Sequence, residues 1–357
     1  MKVLQVYKDV FPEVSGGIER YIHDLSLFLS SRGHEIEILV TGGGNRTLDE
    51  VPVRGVPELC RILSNPVAPG FPGYLRRAHA DVVHFHLPLP AAVLGWLAIP
   101  SRYRKPWVVT YHSDIVRQGY AMPYYGPFLK RFLRGANCVM ATSDAYLRTS
   151  PYLKGLCNTE VVPIGVDPKR FTPADNPSRD YFLFVGRFRE YKGISILLDA
   201  WRLLPDPPRL IMAGGGKMEK HVREYAELHG LPVSIRTNVS DQELNNLYGN
   251  ARALILPSTR RSEAYGMVQL EAMACGTPVL CSDLSTGVSW VNRHGHTGLH
   301  FSTGSPDELA GAVQRMMNDT CFMEKASKAA RERAISCFDS NALFRKVEDC
   351  LHRASGN

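Results

Sequence analysis

Glu263 and Glu271 lie eight residues apart in the run S-E-A-Y-G-M-V-Q-L-E-A-M-A-C-G-T-P, residues 262–278. The first follows the apolar run 253–257, predicted as a strand. The second falls inside a helix predicted over about 265–275, which Gly276 and Pro278 end as a glycine cap followed by proline. A strand, a loop and a helix N-terminus in that order form an anion site at the C-terminal edge of a parallel sheet. Two carboxylates there suit sugar hydroxyls and do not suit phosphate. The combination points to a ligand carrying both groups, as a nucleotide sugar does. The same spacing also fits a solvated helix face. Against that, a helix apolar nearly all round is buried, and a Glu inside it needs a partner.

Phosphate must then be held by other groups. Arg187 and Lys192 sit five apart in G-R-F-R-E-Y-K-G, residues 186–193, across a predicted strand-to-helix turn. A guanidinium can grip phosphate oxygens with two parallel N–H bonds, and an ammonium acts as a point charge. A solvated basic loop is the plainer reading. Gly214 opens the triplet 214–216 at another strand end, which permits close backbone approach or a simple tight turn. Gly16 and Gly17, after Ser15, close the first strand and open the first helix. Their amides can meet a diphosphate, or merely turn the chain. His112 ends a strand in Tyr-His-Ser-Asp, 111–114, placed to bond a sugar hydroxyl or to be a core histidine satisfied by backbone. No Asp-x-Asp occurs anywhere in the chain, so the hard oxygen cluster that would hold a divalent ion on a diphosphate is missing from the sequence. No metal and no cofactor is expected.

These groups need a scaffold. The first half alternates a strand at 2–7, a helix from about Ile18 to Arg32 closed by Gly33, and strands at 34–40, 81–86, 107–112, 138–143 and 160–164. A linker reads from about Gly165 to Arg179. A second alternating series follows, with strands at 181–186, 209–213, 233–237, 253–257 and 278–282. Helices are predicted at about 192–204, 217–229, 241–251, 306–318 and 323–352. The pattern is α/β, with two Rossmann-like domains whose strand ends should face each other across a ligand cleft.

The 357 residues suit two domains of ordinary size, and 44% apolar content suits globular folding. No run reaches a membrane span; the apolar stretch 87–100 is short and carries Pro88, Pro90 and Pro100. Met1 to Tyr7 already reads as a strand rather than a targeting segment. The eight cysteines show no C-x-x-C and no Cys/His ligand cluster, which predicts reduced thiols in a cytoplasmic protein. Of the +7 net charge, residues 1–170 carry most, with 20 basic against 14 acidic side chains. With no nucleic-acid motif present, nucleic acid is excluded and an anionic surface or ligand is expected. The stretch 123–134 mixes Tyr124, Phe128 and Phe132 with Lys130, Arg131 and Arg134, the composition of a helix on an anionic bilayer or of an ordinary half-buried helix.

Taken together, the early Gly16-Gly17 turn, the strand-end His112, the 186–193 loop and Glu263-x7-Glu271 before A-M-A-C-G-T-P make the chain resemble the retaining glycosyltransferases of the GT-B fold, family GT4. The likeness runs nearly end to end and is similar to bacterial polysaccharide mannosyl- and rhamnosyltransferases that use GDP-sugars. The resemblance implies an N-terminal acceptor and membrane-binding domain over 1–168, a donor domain over 169–338, and a last helix over 339–357 packing back on the first domain. It implies that Arg187 and Lys192 hold the donor diphosphate, with amides around Gly266, Met267 and Val268 completing the phosphate pocket. Glu263 would bind the donor sugar, and Glu271 the ribose. Gly16, Gly17, His112 and Gly214 would join the donor site, with His112 counted among the catalytic groups. It further implies a lipid-linked or glycan acceptor and a peripheral place on the inner face of the plasma membrane. A UDP-sugar donor, or a non-catalytic nucleotide-sugar-binding subunit, are the alternatives. Departures from the family pattern are Ala264, Lys217, Asn238 in a turn where Gly is common, and the segment 285–292.

Overall fold

The computed structural model describes residues 1–14, 16–62, 65–115, 122–284 and 286–356. Ser15 and Ser285 lie outside the described residues, as do residues 63–64, 116–121 and 357. The chain divides into two compact units, one of Met1–Ile164 with Asn341–Asn357 and the other of Gly165–Ser340.

The first unit runs β1 (Lys2–Val6), α1 (Gly17–Ser31), β2 (Glu35–Thr41), β3 (Arg46–Leu48), β4 (Val51–Val56), β5 (Cys60–Ile62), β6 (Asn65–Val67), α2 (Phe71–Arg77), β7 (Val82–Leu87), α3 (Pro90–Ala98), β8 (Trp107–Tyr111), α4 (Met122–Gly135), β9 (Cys138–Ala141), α5 (Asp144–Thr149) and β10 (Thr159–Val161). Its main sheet has the order β10-β9-β8-β7-β1-β2-β4-β3, parallel except for the β3–β4 pair. β7 is buried along its whole length, because helices cover both faces of a parallel sheet and each side chain must face a packed layer.

The second unit runs β11 (Tyr181–Val185), α6 (Ile194–Leu203), β12 (Arg209–Ala213), α7 (Glu219–Leu228), β13 (Val233–Arg236), α8 (Asp241–Asn250), β14 (Ala253–Leu256), α9 (Met267–Ala274), β15 (Val279–Ser282), α10 (Gly287–Val291), β16 (Gly298–Phe301), α11 (Pro306–Asn318) and α12 (Thr320–Phe338). All five strand pairings are parallel, in the order β13-β12-β11-β14-β15-β16. In chain order this is 3-2-1-4-5-6, the doubly wound arrangement that opens a crevice between its first and fourth strands, here β11 and β14. Phe182, Phe184, Trp201, Leu280 and Val313 lie in its core.

The single helix expected over 323–352 is two. α12 ends at Phe338, and α13 (Ser340–Ser355) starts after Asp339, whose extended backbone forms a bridge with Val166. From Asn341 onward α13 belongs to the first unit, where Phe344 packs on Tyr21 and Phe28 and Glu348 pairs with Arg32 and His34. The alternation also hid β3 to β6 and the short helices α2, α3 and α5, which lack enough turns for a clear period.

Candidate active site

The β11–β14 crevice is where the carboxylate and the amine come together. Lys192 stands in the turn between β11 and α6, and Glu263 in the loop after β14. Their charged ends meet at 2.5 Å, with side chains only 11% and 10% exposed. Gly193 makes this approach possible: it has φ of 71°, and a Cβ there would run into the Pro257 carbonyl. Burial disfavours the Lys192 ammonium, but the neighbouring Glu263 carboxylate, with Tyr191, outweighs it and raises the pKa above the ordinary lysine value. Lys192 is therefore charged at neutral pH.

Ser258 Oγ also donates to Glu263 Oε2, at 3.0 Å, while Thr286 Oγ1 donates to the Glu263 carbonyl at 3.0 Å. Both side-chain hydrogen bonds of Glu263 among the described residues fall on Oε2. The other oxygen, Oε1, faces Gly266, where a Cβ would stand 3.8 Å away. Gly266 is the N-cap of α9, with φ of 69° and no side-chain cap. The first amides of α9, at Met267 and Val268, thus begin beside Glu263, and an uncapped helix start carries partial positive charge.

One turn further along α9, Glu271 accepts from the Tyr248 hydroxyl at 2.6 Å. Tyr248 is fully buried, so this is the partner that a carboxylate in an apolar helix requires. α9 ends as expected: Gly276, at φ of 70°, donates to Met273, and Thr277 donates to Ala272, a Schellman cap. Arg187 is exposed on the loop after β11. Buried Phe188 anchors that loop, donating its N–H to Gly215 at 2.8 Å and accepting from Met218 at 3.2 Å. Gly214 follows β12 and packs on the Gly186 backbone of the same loop. Asn238 adopts the left-handed φ of 53° that its turn demands.

Gly16, Gly17 and His112 belong to the first unit. Gly16 is the uncapped N-cap of α1, and Glu19 turns its carboxylate back over it. That acidic group complements the helix dipole and contests the place of an external anion. His112 follows β8, is 2% exposed, and its amide bonds Leu87 at 3.1 Å. It is the end of a buried relay. Ser26 Oγ donates to the Ile22 carbonyl and so accepts from Gln5 Nε2 at 2.8 Å. Gln5 Oε1 then accepts from His86 Nε2 at 2.7 Å. A neutral His86 is left with a bare Nδ1, which accepts from His112 Nε2 at 3.1 Å. Burial drives the His112 pKa down to about 3 and that of His86 well below its usual value, so both rings are neutral at pH 7. His112 Nδ1 is consequently an acceptor, and among the described residues it has no hydrogen-bond partner.

Tyr248, Ser258, Thr286, His86 and Gln5 were not among the residues singled out from sequence. Only the His84-x-His86 alternation carried a signal, since residues two apart on a strand share a face. The basic helix α4 buries Leu129, Phe132 and Leu133, and leaves Tyr124 82% and Phe128 48% exposed beside exposed Lys130, Arg131 and Arg134. A cavity of about 550 Å³ opens there, lined by Met122, Pro127, Lys130, Arg131, Arg134 and Tyr152.

Two units, each built on a mainly parallel sheet, have the architecture of the GT-B glycosyltransferases. Residues 166–333 match the family described as Glycosyl transferases group 1, and residues 15–170 match Glycosyltransferase Family 4. The chain is 30% identical over 364 residues to O-antigen chain mannosyltransferase C of Escherichia coli, covering 96% of each. It is 32% identical over 351 residues to D-rhamnosyltransferase WbpZ of Pseudomonas aeruginosa, covering 93% of this chain and 91% of that one. In fold it is similar to the Anabaena HepE protein crystallised with UDP, with a TM-score of 0.83, 20% identity, and coverage of 98% of this chain and 99% of that one. The chain belongs to the family 4, group 1 glycosyltransferases. Among the described residues no helix is long and apolar enough to cross a membrane.

Proposed function

We propose that this glycosyltransferase moves a hexose from a GDP-sugar, mannose or rhamnose, to a hydroxyl of a lipid-linked glycan in bacterial envelope polysaccharide synthesis. The observation that carries this reading is full-length similarity to a mannosyltransferase and a rhamnosyltransferase, on a chain whose second unit sets Lys192, Glu263 and the α9 N-terminus together.

In this reading the sugar is transferred with retention. The anomeric carbon becomes oxocarbenium-like while charge grows on the leaving β-phosphate. Arg187 and the first amides of α9 hold that charge before the reaction begins, which is electrostatic preorganisation. Lys192 both contributes positive charge and fixes the Glu263 carboxylate through Oε2. Glu263 Oε1 then accepts from a donor-sugar hydroxyl. Glu271, held by Tyr248, accepts from the ribose hydroxyls. The departing phosphate oxygen takes the acceptor's proton, so no protein base is needed, and no divalent ion is required on the diphosphate. The α4 surface, with its exposed aromatics between basic side chains, supports an anionic membrane partner and a peripheral location.

The test is release of GDP from GDP-mannose and GDP-rhamnose in the presence of a lipid-diphosphate-linked glycan, with no added divalent ion and with the product anomer read by proton NMR. Turnover with one GDP-sugar and a retained anomer is expected. Turnover only with UDP-sugars would replace the donor, and an inverted anomer would overturn the mechanism.

A further inference from the structure

The sequence shows no cysteine cluster, yet the fold builds one. Cys138 opens β9, and Cys350 lies on α13, 212 residues away; their Sγ atoms are 3.8 Å apart. Glu160, on the neighbouring edge strand β10, brings Oε2 to 3.3 Å from Cys350 Sγ. The three ligand atoms lie within 4.8 Å of one another.

These separations have a chemical meaning. A tetrahedral zinc ion with Zn–S bonds of about 2.3 Å and a Zn–O bond of about 2.0–2.2 Å sets its sulfurs about 3.8 Å apart and sulfur from oxygen about 3.5 Å apart. The pair here is far wider than the roughly 2.05 Å of a disulfide. Arg353, one helical turn from Cys350, donates to Glu160 Oε2 at 2.5 Å and to Cys350 Sγ at 3.1 Å. It is placed as the outer partner that orients a ligating carboxylate. Charge also closes: two thiolates and one carboxylate balance a dication and one guanidinium. The group of His34 with Glu348 and His352 of α13 is less suited, because Arg32 Nε donates to both Glu348 oxygens at 2.8 Å.

We propose that Cys138, Cys350 and Glu160 form a zinc site that clasps helix α13 to the edge of the first unit's sheet, with a water in the fourth position. Binding converts two thiols to thiolates and releases two protons, so affinity rises with pH. This site is independent of the proposed glycosyl transfer.

The experiment uses the full chain, kept reduced, stripped with a chelator and dialysed. Zinc is titrated against a chromophoric chelator, and cobalt(II) serves as the spectroscopic probe. One equivalent of metal, with thiolate-to-cobalt charge-transfer absorption in the near ultraviolet, is expected. Cys138→Ser leaves one Co–S bond, so it should lower that absorption and weaken zinc by at least about tenfold, and Arg353→Ala should weaken it by about 10–100-fold. Cys138 is only partly buried, so its serine variant should fold even if Cys350→Ser does not. Absence of the charge-transfer band, uptake unchanged in Cys138→Ser, or a Cys138–Cys350 disulfide in freshly isolated protein would each overturn the proposal.

Discussion

Removing one member of the Lys192–Glu263 pair separates its structural role from its chemical role. Lys192→Met leaves a carboxylate buried to about nine-tenths without its counter-charge. Breaking such a pair costs about 3–5 kcal/mol. At about 2–4 °C per kcal/mol for a unit of this size, the melting temperature should fall by about 6–20 °C. Replacing both partners, Lys192→Met with Glu263→Gln, removes the stranded charge and should restore most of that stability. Turnover should not return, because the loss of one preorganised electrostatic group costs about 10²–10³ in rate. Differential scanning calorimetry and nucleoside diphosphate release read the two effects separately. A Lys192→Met variant melting within about 2 °C of the parent would refute the buried-pair reasoning. A double variant turning over within a few-fold of the parent would refute the catalytic assignment. The raised Lys192 pKa fixes the pH window: the pair's contribution is complete below the ordinary lysine pKa and is lost only as pH rises through the higher folded value.

Other expectations follow from the same geometry. His84 and His112 are both held near pKa 3, chiefly by burial, below the ordinary value of 6.5. The unfolded chain therefore binds more protons between those values, and stability falls as pH drops below about 6.5, by about 2 kcal/mol per histidine at pH 5. Thermal melts from pH 7 to 5 should show this fall, and His112→Asn should flatten it. Tyr248→Phe removes the hydroxyl that holds Glu271, so nucleotide affinity should weaken, by about tenfold for a loss of about 1.4 kcal/mol; isothermal titration with nucleoside diphosphate measures it, and unchanged affinity would remove Tyr248 from the site. Under native conditions a thiol reagent should modify the exposed Cys60, Cys157, Cys321 and Cys337 quickly. Cys275 and Cys281, pushed up to about 12 by burial, should stay unmodified until the chain unfolds.

The sequence carried the parts of this fold that repeat with a period. The apolar strands, the αL turn at Asn238 and the Gly276 cap could be read because each follows from local backbone rules. α9 could be read as buried, and with it the need for a Glu271 partner, but not that partner's identity. Tyr248 comes from a helix 23 residues earlier, and nothing local in that helix marks it. The Lys192–Glu263 contact was missed for the same reason: the two residues are 71 apart and meet only because β11 and β14 are neighbours in the sheet. Basic loop and acidic loop were read as serving different parts of one ligand, whereas the fold first makes them serve each other. Sequence spacing likewise hid the Cys138–Cys350 pair. The break at Asp339 leaves no mark in composition, because both flanking segments keep helical character; only the family resemblance put a boundary between 338 and 339.

The most direct measurement of the central claim is thermal stabilisation of the purified chain by GDP-mannose, UDP-glucose, UDP-GlcNAc and dTDP-rhamnose. A ligand held only by the folded state adds about 2.7 kcal/mol at a hundred times its Kd. Stabilisation by GDP-mannose alone, lost in Glu271→Ala, is the predicted result. Stabilisation by a uridine or thymidine nucleotide instead, or by none of the four in well-folded protein, would contradict the account.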